Sequence, residues 1–296
     1  MADPTNFQVV QHSDGWRYVS PTPSPDALAA FYAREYYQDS HGTYEQRYSD
    51  EELAHRRLLA AELIHALGQA RGVTAGALLE IGCGEGFFLS AAADAGFEVQ
   101  GLEFSDFGLR GQHPELIAKV QFGDAFAALD RLIVEGAQID VCVMEHVLEH
   151  VADPEGLLAR LPRLLNPGGV VAITVPNDFS AVQAEARALG LIDRDFWVCP
   201  PQHLNYFNAD NLPKLLDRVG FEVLDGFSSF PIDWFLHHPG SNYIADPTAG
   251  KPAHRARMAL DMLLAKNGVA AFHGFGQALF RCGAGRSITV IARPAS

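Results

Sequence analysis

The chain has 296 residues, 48% of them hydrophobic and 20% charged, with a formal net charge of −14. That length and balance suit one large α/β domain with additions, or two modest domains, and the negative charge disfavours a nucleic-acid partner, which is held by clustered Lys and Arg. The sequence has no run of 18 apolar residues and does not open on a basic, then apolar, leader; Cys83, Cys142, Cys199 and Cys282 form no CxxC pair. Membrane insertion, a disulfide framework and a zinc site are therefore not expected, and a reducing cytoplasm is.

Residues 1–50 read as irregular and rich in aromatics, with Pro21, Pro23 and Pro25 interrupting any early helix. A short helix is expected from Pro25 to about Tyr37. "SDEELAHRRLLAAELIHALGQA" predicts a longer one, with Ser49 as its cap and Glu52 as the capping-box partner. From Ala77 strands and helices alternate. "ALLEI", "FEVQGLEF", "KVQFG", "IDVCVME" and "VVAITVP" are five apolar strands. "FFLSAAADAG", "SDFGLRGQH", "DAFAALDRLIVEG" and a helix broken by Pro162 and Pro167 lie between them. Strands that are apolar on both faces belong to a buried parallel sheet, and right-handed crossovers make it doubly wound. "NADNLPKLLDRVG" follows as a helix capped by Asn208 or Asp210, then the strand "FEVLDGFSSF", and "SITVIARP" ends the sheet. Between these last two strands lies a long segment, Pro231 to Arg286, with its own helix in "PAHRARMALDMLLAKNG". Insertions of that length usually serve as a lid or a partner surface.

Ligands of open parallel sheets bind at the carboxyl ends of strands where the strand order reverses. The turn after the first of these strands, "LLEIGCGEGFFL", lies there. Gly82, Gly84 and Gly86 permit positive φ and close backbone approach, and the helix that follows offers free N–H groups. A dinucleotide fingerprint would need glycine at position 87, which is Phe87, and no G-K-[ST] follows as in a P-loop. Glu80, two residues before the first glycine, disfavours phosphate and favours a cationic ligand. The pattern suits a nucleoside without pyrophosphate.

This turn resembles motif I of the class I S-adenosylmethionine-dependent methyltransferases, and further motifs of that family follow in order over Leu78 to Leu224. Glu103 ends the second strand where the family holds both ribose hydroxyls, with Phe104 beside it. Asp124 and Ala125 follow the third strand where the adenine is bound. "DVCVMEHVLEHVADP" resembles the fourth-strand motif, placing Glu145 and His146 at the strand end, and "PPQHLNYFNADNLPKLLDRVGFEVL" resembles a stretch of quinone and sugar O-methyltransferases. The resemblance implies a seven-stranded sheet whose last strand is antiparallel. It also implies S-adenosyl-L-methionine as cofactor, S-adenosyl-L-homocysteine as product, and a cofactor site built from Glu80, Gly82, Cys83, Gly84, Gly86, Glu103, Phe104, Asp124, Ala125, Glu145 and His146.

Residues 71–230 and 287–296 are then the methyltransferase core, 1–70 an aromatic and helical cap, and 231–286 an insertion serving as substrate lid or as the contact of a homodimer. A hydroxyl acceptor needs a base, for which His146, His203 and His150 are candidates. Tyr37, Tyr44, Trp197 and Tyr206 are candidate walls of the acceptor pocket, against ordinary core packing. Cys83 reads as a small filler of the turn. The expected reaction is methyl transfer to a small molecule, most simply to a hydroxyl of a sugar, quinone or secondary metabolite. N- or C-methylation and a non-catalytic nucleoside-binding module remain as alternatives, and a nicotinamide-dependent oxidoreductase is disfavoured by Phe87.

Overall fold

Apolar residues facing both ways along the strands build the centre of the computed structural model, which describes residues 7–24, 27–28 and 47–295. Ten strands are formed: β1 Gln8–Gln11, β2 Arg17–Ser20, β3 Gly76–Ile81, β4 Phe97–Glu103, β5 Val120–Phe122, β6 Ile139–Glu145, β7 Leu165–Pro176, β8 Asn205–Tyr206, β9 Phe221–Ser228 and β10 Ser287–Pro294. Seven of them form one sheet in the order β5-β4-β3-β6-β7-β10-β9. β10 runs antiparallel to both β7 and β9, and the remaining pairs are parallel. The seven-stranded, mostly parallel sheet with its antiparallel last strand is the arrangement the sequence pattern implies.

Consecutive side chains of β3 divide between the two faces. Leu79 and Ile81 join one apolar cluster and Leu78 the other. The first cluster takes in Leu129 and Leu132 of a helix at Ala125–Val134 (α4), and Leu215 and Leu216 of a helix at Leu212–Arg218 (α7). The second takes in Leu63 and Leu67 of α1, Asp50–Arg71, and Leu89 of α2, Phe87–Asp94. Each face is thus covered by helices, as strands without a polar face require. The chain runs β3-β4-β5 toward one edge, then returns to pair β6 against β3 and continues toward the other. The strand order reverses between β3 and β6, so the crevice at their carboxyl ends is where a ligand belongs.

Helix α1 begins as its sequence predicts. Ser49 accepts from the Glu52 amide and the Glu52 carboxylate accepts from the Ser49 amide, and Gly72 closes the helix at φ 74°. The segment between β9 and β10 folds back onto it through two helices, α8 at Gly250–Leu264 and α9 at Val269–Arg281. His55 of α1 meets Asp261 of α8 at 2.8 Å, and both are buried. His273 of α9 meets Asp225 of β9 at 2.8 Å and Glu62 of α1 at 3.5 Å. Three histidine–carboxylate contacts therefore tie the insertion to α1 and to the sheet.

The beginning of the chain differs from the expected irregular and helical cap. β1 and β2 form a hairpin, and β2 pairs with β8 to make a second, three-stranded sheet. Its anchor is Trp16, which stacks on His12 at 4.8 Å and packs on Phe207 at 5.3 Å. The helix expected from Pro25 to about Tyr37, together with Tyr37 and Tyr44, lies outside the described residues apart from positions 27–28. The cap of α7 is also corrected. The helix starts at Leu212 after Asn211, while the Asn208 side chain accepts from the amides of Asp210 and Asn211 and so closes the turn before it.

Burial works against a charge on His273, but the hydrogen bond to Asp225 and the nearby Glu62 raise its pKa to about 9. A histidine whose folded pKa lies above its unfolded value of ~6.5 stabilises most at low pH. That contribution is complete below pH 6.5 and vanishes as the pH rises through about 9. His273→Gln is therefore expected to cost up to roughly 3 kcal/mol at pH 6 and much less at pH 9.5. Thermal denaturation of both proteins across that range checks it; a pH-independent difference would contradict the assignment.

Candidate active site

The turn between β3 and α2 is shaped by backbone that side chains would oppose. Gly82, Gly84 and Gly86 have φ of 73°, 52° and 82°. A Cβ at Gly82 would stand 2.4 Å from the Val147 side chain, so the turn and the end of β6 touch through the missing side chain. Glu103, at the end of β4, fixes the turn from the other side. One carboxylate oxygen accepts from the Gly84 amide at 2.7 Å and the other from the Phe104 amide at 2.7 Å. A carboxylate, with about four acceptor positions, is a group suited to a cis-diol. Asp124 accepts from the Ala127 amide at 2.8 Å and caps α4. Phe104 is exposed beside Glu103. Glycine backbone, the free N–H groups opening α2 and an acceptor-rich strand end fit a nucleoside with a polar sugar.

Glu80 departs from its sequence reading. It is 3% exposed and one oxygen has no hydrogen-bond partner. Burial first, then the charges of Glu145 and Glu103, push its pKa well above the ordinary carboxylate range. Burial thus disfavours its ionised form, and a cation placed against it would favour that form. Cys83 is buried and its thiol is also driven upward by burial, which suits a packing role and not a nucleophile.

Position 87 explains itself structurally. The Arg56 guanidinium lies over the rings of Tyr48 and Phe87 at 4.2 and 4.5 Å, and His113 meets Phe87 edge-on at 4.9 Å. The Tyr48 hydroxyl reaches the buried Glu85 carboxylate at 2.7 Å, and Arg56 approaches the same group at 3.6 Å. The start of α1 is thereby docked on the glycine turn. Tyr48, Arg56 and Glu85 carry no motif, and their tertiary convergence is invisible in the sequence.

Beyond the turn lies a cavity of about 590 Å³. Glu145 and His146 at the end of β6, Thr174 of β7 and Thr289 of β10 line one part of it; Arg56 of α1 and Arg257 of α8 line another. Of the three candidate bases, His146 lines the cavity. It holds a left-handed φ of 57°, unusual for a residue with a Cβ, and its side chain is 48% exposed. Nδ1 is 3.0 Å from a Glu149 oxygen, which leaves Nε2 for a ligand. Loss of water from the ring works against its charge, but the hydrogen bond to Glu149 and the carboxylates of Glu149 and Glu145 outweigh it and raise its pKa. Glu149, 1% exposed, is correspondingly an anion. Burial alone would raise its pKa, yet the His146 hydrogen bond and the flanking His150 and His203 hold it at about 2.

His150 and His203 do not line the cavity. His150 Nδ1 donates to the Gln202 carbonyl at 2.6 Å, and the two rings meet edge-on at 4.9 Å. Burial, then the neighbouring His150, lowers the His203 pKa to about 4, so it is neutral. Glu149, His150 and His203 bring three potential metal ligand atoms within 4.8 Å of one another. Trp197 and Tyr206, expected as pocket walls, belong instead to a buried cluster with Val19 and Leu236. The Tyr206 hydroxyl donates to the His203 carbonyl, so its polar end is satisfied inside the protein.

Residues 53–225 match a family described as a methyltransferase domain. A Mycolicibacterium smegmatis protein named "Probable S-adenosylmethionine-dependent methyltransferase" is 30% identical over 156 residues, 52% of this chain and 54% of that protein. The chain therefore spans about half the length of that relative. A ubiquinone biosynthesis O-methyltransferase of Ruegeria pomeroyi is 29% identical over 187 residues, 60% of this chain and 73% of that protein. Among solved structures, an S-adenosylmethionine-dependent methyltransferase from Archaeoglobus fulgidus superposes with a TM-score of 0.51 at 19% identity, covering 80% of this chain and 93% of that one, a likeness of fold. With the sheet order, the glycine turn and the family match in agreement, the chain belongs to the class I S-adenosylmethionine-dependent methyltransferases.

Proposed function

We propose that this protein transfers a methyl group to a hydroxyl of a small molecule seated in the 590 Å³ cavity. The observation that carries the proposal is the position of His146: at the end of β6, on the cavity wall, with one ring nitrogen bonded to a buried anion and the other left for an acceptor. Among the relatives, several are named ubiquinone biosynthesis O-methyltransferases, which favours oxygen as the accepting atom. Bound S-adenosylmethionine supplies a methyl group already activated on a sulfonium, displaced in line onto the acceptor with its bonding pair left on sulfur.

The chain's part is placement, charge and proton removal. The backbone of Gly82, Cys83, Gly84 and Gly86 would hold the cofactor, Glu103 would take its ribose hydroxyls with Phe104 alongside, and Asp124 and Ala125 would receive the adenine. Glu80 and Glu145 are buried or half-buried carboxyls near the turn, and a sulfonium beside them favours their ionised forms. His146 Nε2 takes the acceptor proton, and Glu149 stabilises the imidazolium that results. Alignment of the reactants contributes ~7–11 kcal/mol to such a displacement, the largest share open to the protein. Residues 231–286 cover the cavity as a lid, through Arg257 and Met258 of α8.

Glu103→Ala is expected to weaken S-adenosylhomocysteine binding by roughly 1–3 kcal/mol, the cost of leaving polar groups unpartnered. Calorimetric titration reads this, and an unaltered affinity would remove Glu103 from the cofactor site. His146→Ala is expected to lower kcat by ~10²–10⁴-fold with little change in cofactor affinity. Because the base must be neutral and its pKa is raised, the rate climbs with pH above ~6.5. Glu149→Gln removes the carboxylate that holds the pKa up, so the rising limb should shift toward acid. A limb that stays in place argues against this base. Turnover of amines but of no hydroxyl would reassign the accepting atom, and cofactor binding without turnover on any acceptor would point to a non-catalytic module.

A further inference from the structure

Arg257 stands on the cavity wall without an ion-pair partner among the described residues. Its Nε is buried without a hydrogen-bond partner, and its one hydrogen bond among the described residues joins Nη2 to His254 Nδ1 at 2.9 Å. No carboxylate lies within ion-pair distance of it among the described residues. Asp261, whose charge acts on it, is held by His55 at 2.8 Å. Of the acids on the wall, Glu52 caps α1, Glu62 faces His273, and Glu145 stands at the end of β6, where the charges of His146 and Arg56 act on it. Arg56, across the same cavity, is already stacked on Tyr48 and Phe87 and directed at Glu85. A guanidinium does not escape this cost by losing its proton. A partly buried guanidinium without a counter-ion is costly, and its planar fork matches an oxyanion with two acceptor oxygens.

Resting on the reading of this cavity as the acceptor site, we infer that the methyl acceptor is an anion, carrying a carboxylate or phosphate that Arg257 receives while the reacting hydroxyl lies toward His146. The overall charge of −14 does not oppose this, because the wall of the cavity has its own balance. An acid entering the site would exchange hydration for a charge-assisted, two-point contact inside a low-dielectric enclosure, and would be oriented by it. His254, bonded to Arg257, serves as its positioning residue and keeps the fork from turning toward solvent. The same contact would reject the ester of such an acid, which leaves the guanidinium unpaired.

The test is binding, which does not depend on turnover. The full-length protein saturated with S-adenosylhomocysteine is titrated calorimetrically with benzoate, phenyl phosphate and the uncharged methyl benzoate. At least one anion is expected to bind about tenfold or more tightly than the ester. Tighter benzoate assigns a carboxylate and tighter phenyl phosphate a phosphate. Arg257→Met should erase the preference while cofactor affinity is kept, and Arg257→Lys should restore part of it. Equal affinities for anions and ester, or a preference that survives Arg257→Met, would overturn the inference. Failure of methyl transfer to every hydroxyl, with the anion preference intact, would overturn the proposed reaction and not this site.

Discussion

The bonds between the Glu103 carboxylate and the amides of Gly84 and Phe104 set the geometry on which the rest of the site depends. The Gly84 bond joins the end of β4 to the turn after β3, beside the place where the strand order reverses between β3 and β6. Charged acceptors make these hydrogen bonds stronger than neutral ones, and burial strengthens them further. The glycine turn is held open because an anion outside it ties down its backbone.

The second organising element is α1. Its first turns dock on the glycine loop through Tyr48 and Arg56, its middle lines the cavity, and His55 and Glu62 bind the insertion. One helix therefore touches the glycine turn, the cavity and the segment between β9 and β10. The carboxylates along these contacts are held by histidines, a tyrosine or an arginine, whereas Arg257 has no ion-pair partner among the described residues.

The alternation of strands and helices was legible because fully buried strands are apolar throughout, as in "ALLEI" and "IDVCVME", and because glycines and caps punctuate them. The capping box of Ser49 and Glu52 was legible for a similar reason: it is a local rule between residues three apart. The small sheet of β1, β2 and β8 was not. β8 has two residues, and β1 has mostly exposed ones, so neither shows a usable period. Trp197 and Tyr206 were placed on a pocket because an aromatic in sequence does not say whether it faces a cavity or a core. Arg257 and Glu85 were missed because their roles arise only when segments far apart in the chain converge. No helix among the described residues is long and apolar enough to cross a membrane, in keeping with the apolar stretches being interior strands.

The left-handed backbone of His146 carries an implication for descent. Holding a β-carbon at φ 57° costs energy that glycine would not incur and asparagine would incur less. On fold grounds alone, glycine would hold this backbone at lower cost. The imidazole is therefore explained by its chemistry and not by the fold, and a descendant that had abandoned the reaction would be expected to relax first at this residue.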